Sequence, residues 1–306
     1  MRTETENEMR RYQPVQPPIL QGTGSDDQYS YREYLPSKSL ANYVACYWTS
    51  QFHGHGQSTP LLHRVIPDGC VDIIFDLGAR SFGRDAFVTG LMTAYELMPL
   101  VEPQAMFGIR FFVEEADRFF RFPVAEVSAA HVLLEDLWGS EALWAMEGML
   151  DAADTAQRIA WAERLLMQSL NRDGMRQNAL LLTSMQHMYE HQGNLSVAAL
   201  AEKVCYSERN VRRMFQQALG IGPKELSRII QFQSLLQLLA KGQAASFADA
   251  AVQCGYYDQS HVIKSFRAYY GETTGGIFAV RGARAQPGEV VRFLQIFRTR
   301  KPATVR

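Results

Sequence analysis

"CGYYDQSHVIKSFRAYYG", residues 254–271, has two chemically different sides when read as a helix at about 100° per residue. Ser260, Lys264 and Arg267 share one side, flanked by His261, while Val262, Phe266, Tyr269 and Tyr270 share the other. An upstream stretch, "VCYSERNVRRMFQQALG", residues 204–220, has the same form. There Val211, Met214, Phe215, Ala218 and Leu219 cluster, Arg209, Arg213 and Gln216 lie opposite, and Arg212 is on the flank. The two stretches are copies. Ala201 and Ala251 are 50 residues apart, Phe215 and Phe266 are 51 apart, and the extra residue falls in the turn at Tyr257. A two-copy period of this length marks a duplicated helix-turn-helix rather than a solenoid.

The surrounding sequence supports helices throughout. "NALLLTSMQHMYEHQG" (178–193) reads as a helix ending at Gly193, a residue type suited to the position after a helix C-terminus. Ser196 and Ser207 are placed to cap the next two helices. "PKELSRIIQFQSLLQLLAKG" (223–242) opens with Pro223, tolerated in a first turn, and predicts a strut of roughly 25 Å between the two copies.

Charge separates this region from the rest. Residues 193–306 hold 16 Lys and Arg against 7 Asp and Glu, a balance of +9, while residues 1–192 hold 15 against 25, a balance of −10. A basic C-terminal part suits a polyanion, and an acidic N-terminal part does not. Amphipathic helices commonly present nothing more than a solvated face. Two donor-rich faces in register on a basic segment favour nucleic acid instead, because Arg and Lys read guanine edges and phosphates in a major groove.

The N-terminal part reads as strands from residue 29 to about 125. In "LLHRVIPDGCVDIIFDLG" a Pro-Asp-Gly turn separates two β-rich runs, and Val71, Ile73, Phe75 and Leu77 alternate with Asp72 and Asp76 as in a half-buried strand. "FVTGLM" and "AMFGIRFFV" predict further strands, and the pattern turns helical from Ala129. The expected class is α+β. A flexible leader (1–28) precedes a β-rich, cupin- or barrel-like domain ending in helices (29–172). An all-α tandem helix-turn-helix domain (173–280) and a basic tail (281–306) follow. No apolar run approaches the ~20 residues of a membrane span, and the scattered Cys46, Cys70, Cys205 and Cys254 fit a reduced, cytoplasmic location.

Residues 194–276 resemble the tandem helix-turn-helix domain of AraC/XylS-type transcription regulators. The resemblance rests on "LSVAALAEKVCYSERNVRRMFQQALGIGPKEL" and on "DAAVQCGYYDQSHVIKSFRAYYG", which follows the family's G-F/Y-x-D-Q-S-x-x-x-x-x-F signature. It implies two recognition helices in successive major grooves of double-stranded DNA, about one turn apart. Arg209, Arg212, Arg213, Ser260, His261 and Lys264 are then expected to read bases, with Asn210, Gln216, Gln259 and Arg267 as supporting contacts. Cys205 departs from the pattern, standing where the family usually has Gly. "YREYLPSKSLANYVACYW", "HRVIPDGCVDIIFDLG", "GIRFF" and "LEDLWG" resemble, less specifically, a sensor-like module of one AraC-type subgroup. The resemblance implies a small-molecule effector or partner, an RNA polymerase contact and a homodimer as further partners.

The competing reading is a cupin-like metalloenzyme fused to a DNA-binding domain, with His53, His55 and His63 of "FHGHGQSTPLLH" as ligands. No Glu follows at short spacing, so exposed loop histidines are expected, with no metal, cofactor or catalytic residue. Glu33, Asp68 and Asp72 show no acid/base pairing in sequence, and Cys70 reads as a buried thiol. A third reading is a partner-regulated adaptor without a small-molecule ligand.

Overall fold

The computed structural model describes residues 12–17, 29–54, 61–78, 86–127, 131–172, 178–241 and 246–272. The N-terminal part is built on a six-stranded antiparallel sheet. Its strands are β1 (Tyr29–Tyr34), β2 (Val44–Phe52), β4 (Cys70–Asp76), β5 (Ala86–Thr89), β7 (Gln104–Phe112) and β8 (His131–Leu133), in the order β1-β2-β7-β4-β5-β8. β3 (Leu61–Val65) pairs with β6 (Glu96–Leu100) as a separate two-stranded ribbon. Alternation gives the sheet two faces. Tyr47, Ile73, Phe75, Phe107 and Phe111 are buried with the helices that follow. Those helices are α1 (Asp117–Phe120), α2 (Val124–Val127), α3 (Leu134–Trp138), α4 (Ser140–Asp151) and α5 (Thr155–Arg172).

The opposite face carries Cys46, Trp48, Asp72 and Arg110 beneath the ribbon. Asp72 was expected on a solvated face, yet it is buried, because the ribbon covers that side of the sheet. His131–Leu133 also adds a short strand where helix was expected.

The all-α part follows the sequence closely. α6 (Ala179–Glu190), α7 (Val197–Lys203), α8 (Glu208–Leu219), the long α9 (Pro223–Lys241), α10 (Phe247–Gln253) and α11 (Gln259–Tyr269) form two helix-turn-helix units joined by α9. Ser196 and Ser207 cap α7 and α8 by accepting from the Ala199 and Asn210 amides. Asp258 caps α11 by accepting from the His261 amide at 2.7 Å. An anionic cap also suits the positive end of a helix. Cys205 sits at φ 58, the left-handed conformation that Gly255 adopts in the second copy at φ 76, so the departure from glycine falls where glycine is sterically preferred.

The expectation of a flexible leader fails for residues 12–17. Tyr12 stacks on Tyr189 with centroids 4.7 Å apart, and its hydroxyl donates to the Asp68 carbonyl at 2.6 Å. Gln16 bonds the Ile66 backbone and the Asp68 carboxylate, while the Val15 amide donates to Gln233 of α9 at 2.8 Å. These polar side chains pair with buried backbone groups, which is why a segment of modest hydrophobicity is ordered. The rest of the leader and the basic tail lie outside the described residues.

Candidate nucleic-acid interface and ligand cavity

α8 and α11 are anchored by their apolar sides and present their polar sides outward. Val211, Phe215 and Leu219 are buried on α8, and Val262 and Phe266 on α11. Arg209, Arg212, Arg213 and Gln216 are exposed, and Asn210 is half-buried. On α11, Ser260, Lys264 and Arg267 are exposed and His261 is half-buried, while the side chain of Gln259 lies outside the described residues. Arg212 donates to Glu208 at 2.8 Å and Arg213 to Asn210 at 3.4 Å. Exposed contacts of this kind are weak, leaving both guanidiniums available to phosphate or base. Gln216 already donates to the Gly220 carbonyl at 2.9 Å, so it closes the end of α8. His261 packs 4.9 Å from the Tyr256 ring. Burial lowers its pKa, with Arg228 and Lys264 adding to the effect and Asp258 opposing it. Burial thus favours the neutral imidazole, which can both donate and accept. Tyr206 and Tyr257 were passed over in sequence because an aromatic is the default core residue. Both stand exposed at the turns entering α8 and α11, Tyr257 at 84%.

The second feature is a cavity of about 330 Å³ between sheet and ribbon. Asp72 and Arg110 are direct cross-strand partners of β4 and β7. Arg110 Nε and Nη2 each donate to the Asp72 carboxylate at 3.1 Å, and Nε lies 3.2 Å from Asp68. Glu33 lies 3.5 Å from Nη1, which is buried and makes no hydrogen bond. The Trp48 indole donates to Asp72 at 2.9 Å. A Cβ at the facing Gly108 would run into the Trp48 ring, so glycine there gives the indole its place. Burial alone would lower the Arg110 pKa, but Asp72, Tyr31, Asp68 and Cys46 outweigh it and raise it well above the usual value. Burial raises the Asp72 pKa against the lowering pull of Arg110. Burial likewise pushes the Cys70 thiol up, which disfavours a reactive thiolate.

Comparison with known proteins adds to this geometry. Residues 200–278 match a family described as Helix-turn-helix domain. Residues 32–133 match one described as Domain of unknown function (DUF6597). An uncharacterized HTH-type transcriptional regulator of Haemophilus influenzae is 28% identical over 131 residues, 40% of this chain and 43% of that protein. The chain thus spans less than half the length of that relative. Residues 200–278 belong to that helix-turn-helix family. An apo ToxT variant from Vibrio cholerae aligns over 84% of this chain and 99% of its own with a TM-score of 0.40 and 12% identity.

The helix-turn-helix domain is tied to the cavity at several points. Gln233 of α9 donates to the Pro67 carbonyl at 2.8 Å as well as accepting from Val15. Arg64 of the ribbon pairs with Glu272 at 2.6 Å and lies 4.6 Å over the Tyr270 ring, just past α11. Tyr95, which lines the cavity, packs against Gly271.

Among the described residues, His53 and His63 do not belong to a metal-ligand cluster. His63 lies on β3, not in an exposed loop as expected, and its Nδ1 is 3.0 Å from the Tyr29 hydroxyl. His53 is exposed and His55 lies outside the described residues. Among the described residues, the cluster with metal-ligand spacing is His187, Glu190 and His191 at the end of α6. Burial lowers the His63 pKa from 6.5 to about 4. The folded state therefore resists the proton that the unfolded chain takes up, so His63 costs no stability above about pH 6.5 and destabilises progressively as pH falls toward 4. Between pH 7.5 and 5, His63→Asn is expected to lose about 1–2 kcal/mol less stability than the parent. Urea unfolding of both proteins at the two pH values checks this, and identical losses would contradict it.

Proposed function

We propose that the chain is a sequence-specific transcription regulator whose α8 and α11 enter successive major grooves on one side of a DNA duplex. The observation that carries this reading is the pair of register-equivalent donor faces. They lie on two helices that are capped alike, buried alike and joined by one rigid helix. Arg209, Arg212, Arg213, Ser260, His261 and Lys264 reach base edges. Asn210, Gln216, Gln259 and Arg267 support them, and Tyr206 and Tyr257 add contacts at the two helix entrances.

Residues 173–280 would form the DNA-binding domain and residues 29–172 a sensor. In this reading the protein works in the cytoplasm, as no described helix is long and apolar enough to cross a membrane, and it binds without catalysing. The cavity takes the effector. The segment 12–17, Gln233 and Arg64 link its walls to α9 and to the end of α11, so a ligand that fits one docked arrangement better shifts the population of DNA-competent chains. The apolar side chains exposed on α4 and α5, among them Leu143, Trp144 and Met167, suit a homodimer contact. A contact with RNA polymerase is also part of this reading.

Arg213→Ala and Lys264→Ala are each expected to weaken binding to a selected duplex by about 1–3 kcal/mol if the side chain is bidentate to guanine. A phosphate contact would instead weaken all duplexes alike and flatten the salt dependence. Selection from a randomised duplex pool by the full chain supplies the operator. Parent-like binding by both variants would refute the assignment of the reading faces.

A further inference from the structure

The cavity has an unbalanced charge. The buried Asp68 and Asp72 and the exposed Glu96 line it against one guanidinium, that of Arg110, which also has Glu33 3.5 Å from its Nη1. Arg110 is thus surrounded by carboxylates and cannot neutralise them all. His63 does not make up the difference, since burial holds its pKa near 4 and keeps the ring uncharged at neutral pH. An anion entering the cavity would face Asp68 and Asp72, with Glu33 a further carboxylate 3.5 Å from the Arg110 Nη1. Buried charge without a counter-charge is costly, and a ligand of opposite sign relieves that cost.

Much of the remaining lining is apolar and polarisable, interrupted by polar side chains such as Ser50, Thr89, Gln104 and His131. Trp48 and Tyr31 stack with centroids 6.0 Å apart, and Ile74, Met98 and Met106 are among the apolar residues of the wall. Aromatic faces attract cations through their quadrupoles, and thioethers adapt to irregular apolar shapes. A volume of about 330 Å³ is at the lower end of the range for small-molecule sites.

From the surplus of carboxylates in an aromatic-lined cavity we infer that the sensor's ligand is a small organic cation, an amine with an apolar body. Its nitrogen lies toward Asp68 and Asp72 and its body against Trp48 and the methionines. The buried Nη1 of Arg110 is left to donate to an acceptor atom on the same ligand. This inference rests on the reading of the cavity as an effector site and adds the chemical class of the effector.

The test is calorimetric titration of the full chain with four probes of similar shape. Phenethylammonium and tyramine carry the cation, phenethyl alcohol is neutral and phenylacetate is anionic. The cations are expected to bind at least about tenfold more tightly than the neutral and anionic probes. Asp72→Asn should weaken cation binding by about tenfold. Met106→Phe, which leaves every charge in place but narrows the cavity, should weaken it too. Should Asp72→Asn not fold, the comparison of probe charges on the parent and the Met106→Phe result decide the matter. If the alcohol or the acid binds as tightly as the cations and Met106→Phe weakens it, the sensor reading stands and the cation inference is overturned. Cation binding undiminished by Met106→Phe would place the site elsewhere and overturn the inference. If no probe binds at any charge, both readings fall.

Discussion

Arg110→Met is expected to destabilise the N-terminal domain by about 3–5 kcal/mol, the range for removing one partner of a buried ion pair. Arg110 is 4% exposed and lies against Asp72, Asp68 and Glu33, so its loss leaves two buried carboxylates without a cation. Methionine keeps much of the side-chain volume, which makes the cost mainly electrostatic rather than one of packing. The same reasoning predicts that Arg110→Met combined with Asp68→Asn and Asp72→Asn recovers a large part of the loss, because neutral amides need no counter-charge. Replacing a whole buried ionic cluster is commonly far less damaging than breaking it. Urea unfolding of the single and triple variants provides the comparison. A single-variant loss below about 1 kcal/mol would mean that the carboxylates shed their charge in the folded protein and that the cavity holds no surplus.

That cluster also shows where sequence reading stops. The duplicated helix-turn-helix was legible because its signal is local. Phe215 and Phe266, Ser207 and Asp258, and Gly220 and Gly271 stand at fixed offsets within single helices and turns, and the structure places each where the spacing puts it. Asp72 and Arg110 are 38 positions apart and meet only because β4 pairs with β7 in one register. Read alone, Asp72 alternates with Val71 and Ile73 and looks like an outward residue, since alternation distinguishes two faces without saying what covers each. The segment 12–17 was hidden for a related reason. Its order comes from hydrogen bonds to backbone 50 and 56 residues away and to Gln233, not from hydrophobic periodicity. The left-handed turn at Cys205 shows the converse, a local signal that the sequence contradicts and the tertiary fold imposes.

Gly193→Ala is expected to cost about 2–4 kcal/mol and to impair DNA binding although no DNA-reading residue changes. Gly193 has φ 71 and donates its amide to the Met188 carbonyl at 2.8 Å, closing the end of α6. The conformation alone does not explain the cost, because neighbouring Gln192 holds φ 52 with a full side chain. Space distinguishes the two positions. A Cβ on Gly193 would run into the Ser227 carbonyl and the backbone of Gln231, both on α9. Backbone cannot rotate away as a side-chain tip can, so either the turn or α9 must move. α9 is a poor place to absorb that movement. Its Gln231 side chain donates to the Cys254 carbonyl in the second unit, and Gln233 holds the segment below the cavity. A shift of α9 therefore alters the spacing of α8 and α11, and a tandem reader tolerates little change in spacing because its two sites must be met together. Gly222→Ala is the control, since a Cβ there meets nothing within 4 Å and the change should stay within about 0.5 kcal/mol. Thermal unfolding together with affinity for the selected duplex tests both variants. A Gly193→Ala protein as stable and as tightly bound as the Gly222→Ala protein would show that α9 is not the rigid coupler of the two helix-turn-helix units.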